Sequence, residues 1–300
     1  MDVSLLVSQP NATVPMTTDR SLRSRAQHGL KLETLLVSQV LEAFIHDEIG
    51  KFGIPNAVVG LSGGIDSALS CILASRALGP DHVLAVLMPH RTSNPASRSD
   101  AETLVNQLSV PSVVIDISAA ADGLLDEMTN GPSNLRRGNI MARIRMNALY
   151  DQSEAFNGLV VGTSNKTELL LGYGTQHGDM ASAINPIGDL YKTQVRALAA
   201  DLNVPSVIRD KTPSADLWAG QSDEAELGFD YTIADQILYL LIDEMYDAAD
   251  LINDGFDAAL IATVMQRIET SQFKRRLPVI AKLSNRTIDR DFRYPRDWGH

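Results

Sequence analysis

The chain is short of cysteine, of long apolar runs and of surplus positive charge, and each shortage removes a class of function. Cys71 is the single cysteine in 300 residues, which excludes an intramolecular disulfide framework, a multi-cysteine zinc site and a dithiol redox pair. No apolar run approaches the ~20 residues of a bilayer-spanning helix. The short apolar patch from Val3 to Val7 has no basic flank before it and no cleavage signature after it, so neither a membrane span nor a secretory signal is expected. Acidic residues outnumber basic ones, 37 to 26, for a formal net charge of −11, and a surface of that sign does not gather nucleic acid non-specifically. A cytoplasmic protein with no membrane and no nucleic-acid partner is the expectation.

What is present suggests one large domain. Hydrophobic residues make up 44% of the sequence, enough for one substantial core, and nothing in it repeats. Residues 1–29 are polar, carry Pro10 and Pro15, show no sustained period and read as a flexible arm. Residues 291–300 read as a polar, proline-broken tail, which leaves 30–290 as the domain.

Leu32, Leu35, Leu36, Val40, Leu41, Phe44 and Ile45 recur at helical spacing ahead of Gly50. Apolar runs at 57–61, 83–88, 112–117 and 158–162 then alternate with helical patterns at 67–78, 99–108 and 138–156, and another helix opens near Asn165. This order predicts an α/β fold: a doubly wound, Rossmann-like parallel sheet with helices on both faces, a helical C-terminal part, and ligands outside the carboxyl ends of the strands. The irregular stretches after Gly172 and from Asp210 to Gly228 are long enough to read as binding loops or lids.

Gly60, Leu61, Ser62, Gly63, Gly64, Ile65, Asp66 and Ser67 stand where the first strand gives way to a helix. The glycines let the backbone turn tightly and present N–H groups, Ser62 and Ser67 add hydroxyls, and the helix aims its positive end at the same spot, so the segment reads as an anion cradle. It is not a Walker A loop, because an acid, Asp66, precedes Ser67 where that motif has lysine. An acid beside phosphates makes sense with a bridging cation, so Asp66 reads as a Mg2+ ligand. The plainer alternative is a tight turn with Asp66 as a helix cap.

Ser62-Gly63-Gly64-Ile65-Asp66-Ser67 resembles the pyrophosphate-binding loop of the ATP pyrophosphatases, which cleave ATP between the α and β phosphates. Further segments resemble the ammonia-dependent NAD synthetases within that superfamily. They are Gly138-Asn139-Ile140-Met141-Ala142-Arg143-Ile144-Arg145-Met146; Gly162-Thr163-Ser164-Asn165-Lys166-Thr167-Glu168 with Asn185-Pro186-Ile187-Gly188-Asp189; and Pro213-Ser214-Ala215-Asp216-Leu217-Trp218. The resemblance runs from about Leu30 to about Pro278.

It implies a C–N bond-forming ligase that amidates deamido-NAD (nicotinic acid adenine dinucleotide) with ammonia, consuming ATP and releasing AMP and pyrophosphate through an adenylated intermediate. Mg2+ as cofactor and a homodimer are implied with it. So are the site residues: Gly60 to Ser67, Thr163, Lys192 and Ser214 for ATP; Arg143, Gln176, Phe273 and Lys274 for deamido-NAD; Asp66 and Glu168 for the metal; and no covalent nucleophile.

The chemistry of these residues agrees. Thr163 ends a strand on the edge that carries the phosphate loop, Glu168 offers a second carboxylate, Lys192 can neutralise phosphate charge, and Arg143 and Lys274 suit an anionic dinucleotide. Arg143 and Arg145, two apart, do not share a helix face. The ordinary alternatives are a helix-terminal acid for Glu168, a surface lysine for Lys192, a turn serine for Ser214 and surface ion pairs for Arg143 and Lys274. Departures from some relatives fall at Gln176 (lysine there), Ala183 (aspartate) and Phe273 (histidine), all on the dinucleotide side. Free ammonia, or ammonia from a separate protein, is expected as the nitrogen source, because a glutamine-hydrolysing domain needs a nucleophilic cysteine and Cys71 reads as core.

Overall fold

A computed structural model describes residues 21–51, 53–128, 131–212, 214, 216 and 223–288. Helices α1 (Leu22–Gly29) and α2 (Thr34–Gly50) precede β1 (Asn56–Gly60), α3 (Ile65–Leu78), β2 (Val83–Leu87) and α4 (Pro95–Leu108). Then come β3 (Ser112–Val114), α5 (Ser118–Asp126), α6 (Asn134–Ala155), β4 (Gly158–Val161), α7 (Lys166–Leu171) and α8 (Lys192–Asp201). Short helices α9 (Ser206–Arg209) and α10 (Asp223–Leu227) lead to α11 (Tyr231–Leu238), which runs on as a π-helical turn, and to α12 (Ala248–Asn253) and α13 (Ala258–Thr270).

The strands form a parallel sheet in the order β3-β2-β1-β4. Its central strands are continuous apolar runs because both faces are covered. Ala57, Val59, Val83, Ala85 and Leu87 join the core under α2, α3, α4 and α8. Val58, Leu84 and Val86, which alternate with them, pack with Leu149 and Phe156 on the α6 side. Cys71 lies fully buried in the first of these cores, and burial pushes its thiol up to about 12. The chain leaves β1 toward β2 and β3 on one side and returns to β4 on the other, so the crevice at the carboxyl ends of β1 and β4 is the topological switch point.

The doubly wound fold expected from the alternation is the fold observed, with adjustments at element ends. Strand β3 stops at Val114 rather than reaching 117, and α5, where no helix is expected from the pattern, covers the α6 side. Residues 22–29 correct the reading of a flexible arm. They form α1, whose buried Ala26 packs in a second core with Leu171, Tyr191, Tyr231, Leu238 and Leu251. Arg25 pairs with Glu244 at 2.6 Å, and Arg23 donates to Gly255 O at 3.0 Å while its guanidinium lies 4.4 Å from the Phe256 ring centroid. So few apolar residues give no detectable period, and much of the docking is done by arginines. Residues 1–20 and 291–300 lie outside the described residues. Among the described residues no helix is long and apolar enough to cross a membrane.

Candidate functional site

The loop after β1 is built by its own short side chains. Ser62 Oγ accepts from Gly64 N at 3.2 Å and lies 3.0 Å from Ser67 Oγ, which also donates to Gly64 O at 3.0 Å. Gly63 has φ +79°, and a Cβ there would stand 2.1 Å from Ser97 O in the first turn of α4. Only glycine meets both conditions, so the loop is pressed directly against α4. Gly64 caps α3 without a side chain, which leaves the helix amino terminus facing the loop.

Beside it, the strand β4 ends and the chain is pinned again. Gly162 N donates to Ile184 O at 2.7 Å, and Gly162 O accepts from Ser70 Oγ of α3 at 3.2 Å. Thr163 follows, half-buried, and Asn165 opens α7 in a reciprocal cap with Glu168. These two strand ends bring together residues far apart in sequence. Lys192 Nζ lies 2.5 Å from Asp66 Oδ2 and 3.1 Å from Glu168 Oε1. The other oxygen of each carboxylate is held by Asn165, whose side-chain amide donates to Asp66 Oδ1 at 2.8 Å and whose backbone N donates to Glu168 Oε2 at 3.3 Å.

Lys192 is only 2% exposed. Burial opposes its charge, but Asp66 and then Glu168 outweigh that and hold its pKa above the ordinary lysine value. Burial also pushes the Glu168 carboxyl up, against the pull of Lys192. Two hard carboxylate oxygens converging on one cation fit Mg2+, an ion that takes few protein ligands and completes its shell with water and phosphate. Among the described residues no group of three or more His, Cys, Asp or Glu converges for a metal.

Ser214 comes from the stretch between α9 and α10. Its Oγ accepts from Asp216 N at 3.1 Å, and the Asp216 carboxylate accepts from Asn94 N, the residue capping α4, at 3.0 and 3.1 Å. Lys211 Nζ, from the same stretch, donates to Ser97 Oγ at 3.0 Å and lies 3.1 Å from Asp100. Thus Lys211 and Asp216, with Ser214 bonded to the latter, are tied to the start of α4, the helix turn that presses on Gly63. Asp216 stands within the recognisable segment 213–218, while nothing in the sequence marks Lys211.

The residues assigned to the dinucleotide gather elsewhere. Arg143 is exposed and donates to Gln176 O at 3.4 Å, while Arg145 donates to Met88 O at 3.0 Å, so the two do face different ways. Lys274 donates to Gly172 O at 2.8 Å and Gly174 O at 2.7 Å, and burial lowers its pKa. Phe273 beside it is 61% exposed. Arg143 and Lys274 therefore donate to backbone carbonyls of the loop 172–176, at Gln176 and at Gly172 and Gly174, rather than to the carboxylate cluster.

Comparison with known proteins agrees with this architecture. Residues 37–278 match the family model described as NAD synthase. The NH(3)-dependent NAD(+) synthetase of Trichlorobacter lovleyi is 54% identical over 270 residues, covering 90% of this chain and 98% of the relative. Among solved structures, an NH3-dependent NAD synthetase from Campylobacter jejuni in complex with the nitrate ion superposes with TM-score 0.73 at 36% identity, covering 84% of this chain and 100% of that one. An NMN synthetase from Francisella tularensis gives TM-score 0.74 at 31% identity, covering 84% and 99%. With its switch-point loop, its acid–lysine cluster and these relatives in agreement, the chain belongs to the NAD synthase family.

Proposed function

We propose that this chain is a ligase that joins ammonia to the nicotinate carboxylate of deamido-NAD at the expense of ATP, yielding NAD, AMP and pyrophosphate. The observation that carries the reading is the meeting of Asp66, Glu168 and Lys192 beside the Ser62–Ser67 loop at the carboxyl ends of β1 and β4, in a chain 54% identical to a synthetase of that name.

A carboxylate is a poor acceptor for ammonia, because oxide is a bad leaving group. Adenylation solves this. A carboxylate oxygen attacks the α-phosphorus, the bond to the bridging oxygen breaks and pyrophosphate leaves; ammonia nitrogen then attacks the carbonyl carbon, AMP leaves and the nitrogen sheds a proton. The loop 62–67 and the amino terminus of α3 hold phosphate oxygens, Thr163 and Ser214 hydrogen-bond the nucleotide, and the Lys192 ammonium neutralises charge on the β and γ phosphates. Mg2+ on Asp66 and Glu168 supplies further neutralisation of phosphate charge when bound. Arg143, Gln176, Phe273 and Lys274 face the dinucleotide around the 172–176 loop. No side chain forms a covalent intermediate.

The enzyme acts in the cytoplasm, with 30–290 as its catalytic unit, to which α1 is docked. A homodimer is part of the same reading, supported by α2 side chains Leu35 and Leu36, 71% and 45% exposed, and by Leu277 and Val279, 70% and 82% exposed. Sedimentation showing a monomer at micromolar concentration would remove the dimer.

The test is purified protein with ATP, ammonium and deamido-NAD, with and without Mg2+, followed for NAD and AMP. Production of ADP in place of AMP, or no NAD, would sink the proposal; Mg2+-independent turnover would remove the metal from it. Nicotinate mononucleotide belongs in a parallel arm because a solved relative is an NMN synthetase, and faster amidation of that substrate would transfer the reading to it.

A further inference from the structure

Asp235 is a fully buried carboxylate in the middle of α11 whose hydrogen bonds go to neither the 62–67 loop nor the carboxylates of Asp66 and Glu168. One of its oxygens accepts from Thr167 Oγ1 at 2.6 Å and the other from Thr193 N at 2.8 Å. Thr167 Oγ1 in turn accepts from Lys192 N at 3.0 Å. Among the described residues no Lys, Arg or His nitrogen forms an ion pair with it.

The partners are significant for what lies next to them. Thr167 immediately precedes Glu168, and Thr193 immediately follows Lys192. A single carboxylate therefore joins the first turns of α7 and α8, the two helices whose side chains meet at the Glu168–Lys192 contact of 3.1 Å. Two helix amino termini offer it N–H and hydroxyl donors and the positive ends of their dipoles, which is how a charge so deeply placed is tolerated. Burial still raises its pKa, opposed by the bonds from Thr167 and Thr193. Hydrogen bonds of this kind are directional, so the clamp specifies a separation and a rotation of the two helices that apolar packing alone would leave looser. The side chain that inherits this placement is Lys192, because the backbone N of Lys192 is itself part of the chain of bonds.

We propose that Asp235 is a positioning residue that fixes the first turns of α7 and α8 against each other and thereby aims the Lys192 ammonium at the triphosphate of ATP. This rests on the reading of Lys192 as the phosphate-neutralising cation. Asp235→Asn keeps the size of the side chain but trades an acceptor for a donor facing either Thr167 Oγ1 or Thr193 N. Thr167→Val removes the hydroxyl through which Asp235 reaches Lys192 N, and Thr167→Ser keeps it.

Steady-state rates are measured on the full chain with ATP and deamido-NAD varied separately. For Asp235→Asn and Thr167→Val, kcat is expected to fall about 10- to 100-fold and KM for ATP to rise about tenfold, with KM for deamido-NAD within about twofold. Thr167→Ser should return both ATP parameters to within about threefold of the unaltered enzyme. A merely structural role lowers the folded fraction, and so kcat, without moving either KM. That pattern, unchanged kinetics in either variant, or failure of both to fold overturns the proposal. An unaltered protein that makes no NAD overturns the functional reading itself, whereas an active one with unaffected variants overturns only the role of Asp235.

Discussion

The carboxylate–lysine cluster and the cationic residues around 172–176 are made by different means. In the cluster, Asp66, Glu168 and Lys192 come from the first turns of three helices, each held by caps or by strand-end hydrogen bonds, and the Lys192 ammonium lies 2.5 and 3.1 Å from the two carboxylates. Around 172–176, Arg143 makes one long bond of 3.4 Å, Phe273 is 61% exposed and Lys274 spends its ammonium on two backbone carbonyls. The first region is organised by regular structure before any ligand arrives. In the second, the side chains organise the loop. Positions on element ends are more constrained than positions on loops, so the cluster should tolerate less change than the region around 172–176.

Substitutions can break that contrast. The largest effect is expected from Lys192→Met, which removes the one lysine in the cluster: kcat should fall on the order of 10²- to 10³-fold at saturating substrates, measured as NAD formed. A loss under tenfold would mean that the cluster is structural and the contrast unfounded. Lys274→Met comes next. It strips the donor from the carbonyls of Gly172 and Gly174, a change worth about 1–3 kcal/mol, expected as roughly a tenfold rise in KM for deamido-NAD with KM for ATP unmoved. Equal rises in both constants would show that the loop serves the nucleotide as well. The smallest effect belongs to Arg143→Ala, since an exposed side chain with one weak contact gives up little: KM for deamido-NAD should rise about threefold, ~0.6 kcal/mol. An unchanged value in a substrate titration would take Arg143 out of the site.

The turn after β1 and the types of residue in the cluster were legible in the sequence. Gly63 and Gly64 at a strand-to-helix junction read as a tight anion-binding turn, and the structure supplies the reason for Gly63 in its φ of +79° and the Ser97 carbonyl 2.1 Å from where a Cβ would be. Asp66, Glu168 and Lys192 were each recognisable by type and place. The resemblance already grouped Asp66 with Glu168, but the ion pairs of Lys192 with both were not legible, because residues 66, 168 and 192 become neighbours only when β4 returns beside β1. The region around 172–176 was legible as charges but not as partners: nothing about Lys274 in the sequence foretells the carbonyls of Gly172 and Gly174. Helix α1 is not legible in the sequence because few apolar residues and two arginine contacts do not make a period.

By itself the sequence determined the alternation of elements, the absence of disulfide, multi-cysteine zinc and membrane-helix solutions, and the chemistry available at each strand end, because these depend on residue type and spacing along one chain. Only the tertiary structure decided which charges meet, which cations are occupied by carbonyls, and that Asp235 joins α7 to α8. Such contacts depend on the packing of helices distant in sequence, and an aspartate in a helical pattern looks the same whether it faces water or two helix ends.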